Sequence, residues 1–79
     1  MVILEINLGN REKTFTNNTL QECVEVFFTD YVEAIHEVVE CKTYEGSNPN
    51  ESMTINGNKS CQAWLKQIKQ GVIGEKDEK

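Results

Sequence analysis

Residues 2–31 read VILEINLGNREKTFTNNTLQECVEVFFTDY, and this stretch decides the fold. Over its first seven residues, apolar side chains occupy every second position, which is the period of a β-strand with one buried face. A Gly-Asn pair at residues 9–10 suits a tight turn, and a weaker alternation around Phe15 follows it. The start of the chain therefore predicts a β-hairpin.

A helix is predicted directly after this hairpin. Thr19 and Glu22 have the spacing of a capping box, in which a hydroxyl and a carboxylate satisfy the first N–H groups of a helix. From Leu20 onward, apolar residues recur every three or four positions. The apolar stripe continues to about residue 40, but a helix of that length would span roughly 30 Å, the full width of so small a domain. We therefore expect the helix to end near Tyr31.

Residues 35–44 have two interpretations. The continuing apolar stripe favours a prolonged helix, whereas the many β-branched and aromatic residues favour a strand. Because an uninterrupted helix would be unusually long, we favour the strand for these residues.

Two further elements follow this segment. A turn cluster at residues 46–50 precedes a short extended run at residues 53–55, and together they predict a second hairpin. Residues 61–69 place their large apolar side chains at helical spacing, with Ser60 as the candidate N-cap. Two glycines beyond residue 70 are expected to end this second helix.

The predicted order of elements is ββαββα. This order predicts a small α+β domain of two layers, in which a four-stranded, mostly antiparallel sheet carries both helices on one face. We expect the domain to cover residues 1–74, and the charged residues 75–79 to form a disordered tail because they have nothing to bury. The edge strands of so short a chain can pair with another copy, so a homodimer is a further expectation.

The composition is that of a globular protein, since 38% of the 79 residues are hydrophobic and 27% are charged. It excludes collagen-like, low-complexity and fully disordered classes. No apolar run approaches the roughly 20 residues of a membrane span, and Glu5 interrupts the apolar start where a signal peptide would continue. We therefore expect a cytoplasmic protein with no membrane partner.

The three cysteines, Cys23, Cys41 and Cys61, cannot all pair within one chain, and we expect free thiols in a reducing compartment. Together with His36 they form a set that could bind zinc. The set lacks the closely spaced cysteine pair of structural zinc sites, so we expect buried thiols, no metal and no cofactor.

Catalysis is not indicated by the sequence. His36 is the only candidate imidazole base, and it lies among glutamates. Cys23 falls on the apolar side of the first predicted helix, where a thiol is inert. The sequence has none of the phosphate-loop, dinucleotide or zinc-hydrolase motifs. It therefore predicts a protein that is not an enzyme.

The distribution of charge is the most informative feature. The net charge is −5, but residues 17–58 hold eight acids against Lys42 alone, a local charge of −7. Lys59, just before the second predicted helix, and Lys66 and Lys69 within it are too few for direct nucleic-acid binding. Six acids are the candidate partner-binding residues: Glu22, Glu25, Asp30, Glu33, Glu37 and Glu40.

These acids support two hypotheses. The first is a non-enzymatic protein-interaction or regulatory module with a protein partner, whose acids serve mainly solubility. The alternative is an acidic mimic of nucleic acid that blocks the basic groove of a nucleic-acid enzyme. In its small size, acidity and high asparagine content the chain resembles small proteins of bacteriophages and mobile elements, a class that includes inhibitors of host machinery. No motif carries this resemblance.

Overall fold

A computed structural model describes residues 1–71 of the protein. It contains four strands, two α-helices and one 3₁₀ helix. In chain order these are β1 (Val2–Asn7), β2 (Glu12–Asn17), α1 (Leu20–Asp30), the 3₁₀ helix (Val32–Glu37), β3 (Glu40–Glu45), β4 (Asn48–Asn56) and α2 (Asn58–Gln70). The prediction for residues 75–79 lies outside the described residues.

The four strands form one antiparallel sheet in the order β2-β1-β3-β4. Both α-helices lie on the same face, so the predicted ββαββα order and the α+β class are confirmed. In register across the sheet, Leu4 lies opposite Phe15 of β2 and Thr43 of β3, and Thr43 lies opposite Met53 of β4. The side chains of this row face the helices, while the side chains of the residues directly before and after them in each strand face the opposite side of the sheet.

The core fills the space between the sheet and the two helices. Phe27 of α1 is fully buried at its centre, with its ring edge-on to Phe15 at 6.0 Å and to Phe28 at 5.5 Å between centroids. The other side chains with no exposed surface come from strands, helices and the loop before β3: Leu4, Ile6, Cys23, Val24, Val38, Cys41, Cys61 and Leu65.

The first α-helix begins and ends where the sequence predicts. The Thr19 hydroxyl accepts a hydrogen bond from the N–H of Glu22 at 3.2 Å, and the Glu22 carboxylate accepts one from the N–H of Thr19 at 3.2 Å. The last helical residue is Asp30, because Tyr31 leaves the helical region with φ −135° and ψ 25°.

Neither interpretation of residues 35–44 is fully correct. The strand prediction is right from Glu40 but wrong for residues 35–39, and no single long helix forms because a separate 3₁₀ helix follows α1. The C=O of Tyr31 accepts a hydrogen bond from the N–H of Ala34 at 2.8 Å, which starts this tighter helix. The change of direction lets Ala34 and Ile35 enter the core.

The second half of the chain differs from the predictions in two places. β4 begins at Asn48, so part of the predicted turn cluster is strand. Ser60 does not cap α2, because the helix starts at Asn58 after Gly57, whose φ of 97° is a conformation that favours glycine. The end of α2 at Gly71, with φ 69°, is as predicted.

Candidate functional site

The six candidate acids lie on three consecutive elements. Five of them are exposed, and Glu40 is half-buried. The first three lie on α1, the next two on the 3₁₀ helix and the last at the start of β3: Glu22, Glu25 and Asp30, then Glu33 and Glu37, then Glu40. The turn at Tyr31 thus divides the acids between two helices of different direction and pitch.

Three of the acids line a common groove. Asp30, Glu33 and Glu37 surround an open groove of about 600 Å³ where α1 meets the 3₁₀ helix, together with Arg11 and Val32. The hairpin turn between β1 and β2 brings Arg11 to this place from a distant part of the sequence. The sequence predicts the three acids but not the groove, because its shape depends on the separate 3₁₀ helix.

The ion pairing of these acids is weak. Nη2 of Arg11 lies 3.9 Å from Oε1 of Glu37, and both side chains are about half exposed. An exposed pair at this distance contributes little to stability and is screened by salt. Within residues 1–71, no other candidate acid forms an ion pair. The carboxylates of Glu25, Asp30 and Glu33 are thus available to a partner.

Glu22 differs from the other acids because it already has a structural role. Its carboxylate binds the main chain of Thr19 in the capping box. Glu25 lies one turn further along α1 and is free of this contact. Glu22 is therefore the least suitable of the six candidates for contact with a partner.

Exposed valines lie among the acids, and the charge pattern of the sequence does not point to them. Val26 of α1 is 36% exposed and Val32 of the 3₁₀ helix is 45% exposed. Residues 22, 26 and 30 are spaced by four, so Val26 lies between Glu22 and Asp30 on one row of the helix. The signal was present in the sequence, because Val26 falls on the otherwise polar side of the helical stripe.

We call the combined region the corner surface. It comprises Glu25, Val26, Asp30, Val32, Glu33 and Glu37. Its side chains belong to α1 and to the 3₁₀ helix, and it presents carboxylates and apolar groups side by side.

The nucleophilic side chains lie elsewhere. The Cys23 thiol donates to the C=O of Val2 and Phe15 at 3.6 Å, and the Cys61 thiol donates to the C=O of Ile55 at 3.3 Å. Burial raises the pKa of Cys23 and of Cys61. Burial also raises the pKa of Cys41, and the adjacent Cys61 thiol raises it further. These thiols are protonated at neutral pH and are thus poor nucleophiles.

His36 is exposed at the end of the 3₁₀ helix, apart from the three thiols, which are buried. Among the residues that the structure describes, no three His, Cys, Asp or Glu side chains are grouped so that they could hold a metal ion.

Comparison with protein-family models, curated proteins and solved structures finds no match for this chain. In the described part of the chain, neither α-helix has the length and apolar character needed to cross a membrane.

Proposed function

We propose that the protein is a small, non-enzymatic interaction module that regulates or inhibits a protein partner by binding it through the corner surface. The observation that supports this proposal is the placement of exposed Val26 and Val32 among carboxylates that have little ion pairing. Apolar contacts at the centre of an interface supply affinity, and surrounding charges select the partner and speed its association.

The corner surface suggests the chemistry of the partner. Its valines fit a shallow apolar patch, and its carboxylates fit lysine or arginine side chains around that patch. A compartment that keeps the three buried thiols reduced suits the protein, so we place it in the cytoplasm.

Nucleic-acid mimicry is the second candidate function. It is favoured by the number of exposed acids on α1 and the 3₁₀ helix, of which only Glu37 forms an ion pair within residues 1–71. A mimic depends on charge alone, whereas an interaction module also uses Val26 and Val32. The two proposals therefore differ in the effect of salt and in the effect of removing the valines.

The test is capture of the partner by the tagged protein from lysate of its native or host cell. Each capture is washed at about 0.15 M and about 0.5 M salt, between which screening of exposed charges differs markedly. Two variants of the corner surface separate its apolar and charged contributions. The first combines Val26→Ser and Val32→Ser and removes the apolar side chains. The second combines Glu25→Gln, Asp30→Asn and Glu33→Gln and removes three charges.

A matched control variant removes three charges elsewhere, by Glu12→Gln, Glu45→Gln and Glu51→Gln. The interaction module predicts a protein that survives both washes with the wild type and the control, and is lost with the valine variant. A nucleic-acid enzyme that is retained only at low salt and lost only with the charge variant would instead support mimicry. Equal capture by all variants would contradict both proposals.

A further inference from the structure

Strand β4 has an outer edge to which no other strand of residues 1–71 is bonded. It is also the longest strand, nine residues from Asn48 to Asn56, and only Ile55 is partly buried. Edge strands usually carry lysines, prolines or inward-pointing charges that discourage pairing with another chain. In β4, Pro49 and Glu51 lie in the first half, while residues 52–56 have no charge and no proline. The second half of β4 is therefore competent to pair.

The register shows which backbone groups of β4 point outward. The N–H of Gly57 bonds to the C=O of Val39 at 2.9 Å, and this pair extends the register of β3 and β4. Alternate residues of an antiparallel strand bond to opposite neighbours. In residues 52–57, where this register holds, the odd-numbered residues therefore bond to β3, and the N–H and C=O groups of Ser52, Thr54 and Asn56 point away from the sheet. Beyond Ser52 the register shifts, so that Asn48 lies opposite Glu45.

We propose that β4 binds β4 of a second copy of this chain, antiparallel and centred on Thr54. In this register Thr54 lies opposite Thr54 of the second copy, and Ser52 lies opposite Asn56 of the second copy. The three outward-pointing residues then form three pairs, each exchanging two main-chain hydrogen bonds. The result is one continuous eight-stranded sheet with a two-fold axis at its centre.

The side chains favour this register over its neighbours. Met53 is 45% exposed and lines an open cleft with Val2 and Leu20. The two α-helices of the same chain therefore do not cover its side chain. In the proposed dimer Met53 lies opposite Ile55 of the second copy, and the symmetry makes this apolar contact twice. Centring the pair on Met53 instead would place Ile55 opposite the carboxylate of Glu51.

The charges of the molecule permit this approach. All six candidate acids lie on α1, on the 3₁₀ helix or at the start of β3, and none lies on β4. The proposed register puts Glu51 opposite Gly57 of the second copy, so no two acids face each other across the strands. The corner surface lies outside the β4 edge, so dimer formation and partner binding are independent proposals.

The first experiment measures mass and amide exchange of the full chain over a range of concentrations. Sedimentation equilibrium is expected to give twice 9.0 kDa at high concentration. Hydrogen exchange followed by NMR is expected to show amides of Ser52, Thr54 and Asn56 that become protected as concentration rises. The outward-pointing amides of the opposite edge strand β2, those of Thr14 and Thr16, are the internal reference and should exchange freely throughout.

Two pairs of variants test the register. Thr54→Pro removes an N–H that points outward, and the control Thr14→Pro makes the same change at an outward-pointing residue of β2. Thr54→Pro is expected to raise the dimer dissociation constant by about tenfold or more, since two hydrogen bonds are lost by symmetry. Thr54→Lys keeps the N–H but brings two like charges together, and it is compared with Thr14→Lys.

Circular dichroism checks that each variant is folded. If a proline variant does not fold, the comparison of Thr54→Lys with Thr14→Lys tests the register. A mass of 9.0 kDa at all concentrations would overturn the proposal. So would a dimer that protects the β2 amides instead, or β4 amides that are protected at every concentration in a monomer, which would indicate coverage by the protein's own residues 72–79.

Discussion

Asn58 connects parts of the chain that lie 20 or more residues apart. Its side-chain amide donates to the C=O of Val38 at 2.7 Å and to the C=O of Ile35 at 3.3 Å, and its oxygen accepts from Gln62 at 2.8 Å. The carbonyls at the end of a 3₁₀ helix need such partners because the helix itself cannot supply them. This residue therefore fixes the 3₁₀ helix against the start of α2.

Asn58→Asp is expected to lower the free energy of unfolding by about 1–3 kcal/mol, because a carboxylate would face carbonyl oxygens that now accept hydrogen bonds. Urea unfolding at neutral pH measures the loss. Asn10→Asp, at an exposed residue of the turn between β1 and β2, is the control and should change stability by less than about 0.5 kcal/mol. Equal stability of the two variants would contradict the structural role of Asn58.

The buried thiols predict a decline of stability at alkaline pH. The ordinary thiol pKa is near 9.0, and burial raises the pKa of Cys41 in the folded protein. At a pH between the ordinary thiol pKa and the raised pKa of folded Cys41, the folded protein keeps the thiol proton that the unfolded chain has lost. The free energy of unfolding therefore falls as pH rises through this range. Below the ordinary pKa both states are protonated, and this contribution to stability is fully present.

Urea unfolding between pH 7 and 10 is expected to show constant stability to about pH 8.5 and then a loss of up to about 1.4 kcal/mol per pH unit for each thiol. Cys41→Ala is the control, since it lowers stability at all pH values but should reduce the alkaline slope. An unchanged slope in this variant would exclude Cys41 as a source of the effect.

At the scale of elements, the capping box defines the start of α1. Thr19→Ala removes the hydroxyl that accepts from the N–H of Glu22, and it is expected to lower the free energy of unfolding by about 1 kcal/mol. Thr29→Ala makes the same substitution on the exposed side of the same helix and should be neutral or slightly stabilising. Thermal unfolding of both variants measures the difference, and equal melting temperatures would refute the cap.

Elements defined by local contacts could be predicted from the sequence. The first hairpin depends on alternation and a Gly-containing turn, and the bounds of α1 depend on Thr19 and on the apolar stripe. The 3₁₀ helix and the start of α2 could not be predicted, because Asn58 stabilises both through contacts with residues remote in sequence. Their bounds therefore depend on tertiary structure.

The candidate site could likewise be predicted only where it depends on local sequence pattern. Helical spacing places Glu22, Glu25 and Asp30 on the outer side of α1, as the structure has them. The groove at Glu33 and Glu37 needs both the turn at Tyr31 and the approach of Arg11, neither of which follows from local pattern.

At the scale of the whole molecule, the core is small and Phe27 holds a large share of it. A chain of 79 residues has a total stability of roughly 4–12 kcal/mol. Phe27→Ala is expected to cost about 3–5 kcal/mol, which is enough to abolish or nearly abolish cooperative unfolding. Near-ultraviolet circular dichroism during heating measures this loss.

Two control variants belong to this prediction. Phe27→Leu keeps most of the buried volume and should still unfold cooperatively. Phe28→Ala removes a ring that is only half-buried, so it should cost less than Phe27→Ala. A cooperative transition of wild-type midpoint for Phe27→Ala would show that the centre of the core lies elsewhere.

The strand order also has a consequence for synthesis on the ribosome. β1 leaves the ribosome before the other three strands, yet it lies between β2 and β3, so one of its edges stays unpaired after the first hairpin is complete. Translation must continue from Asn17 to Glu45, a difference of 28 residues, before β3 can cover that edge. At about 5–20 residues per second this wait lasts about 1–6 seconds. During that interval the nascent chain exposes the apolar strand that later becomes the most protected part of the sheet.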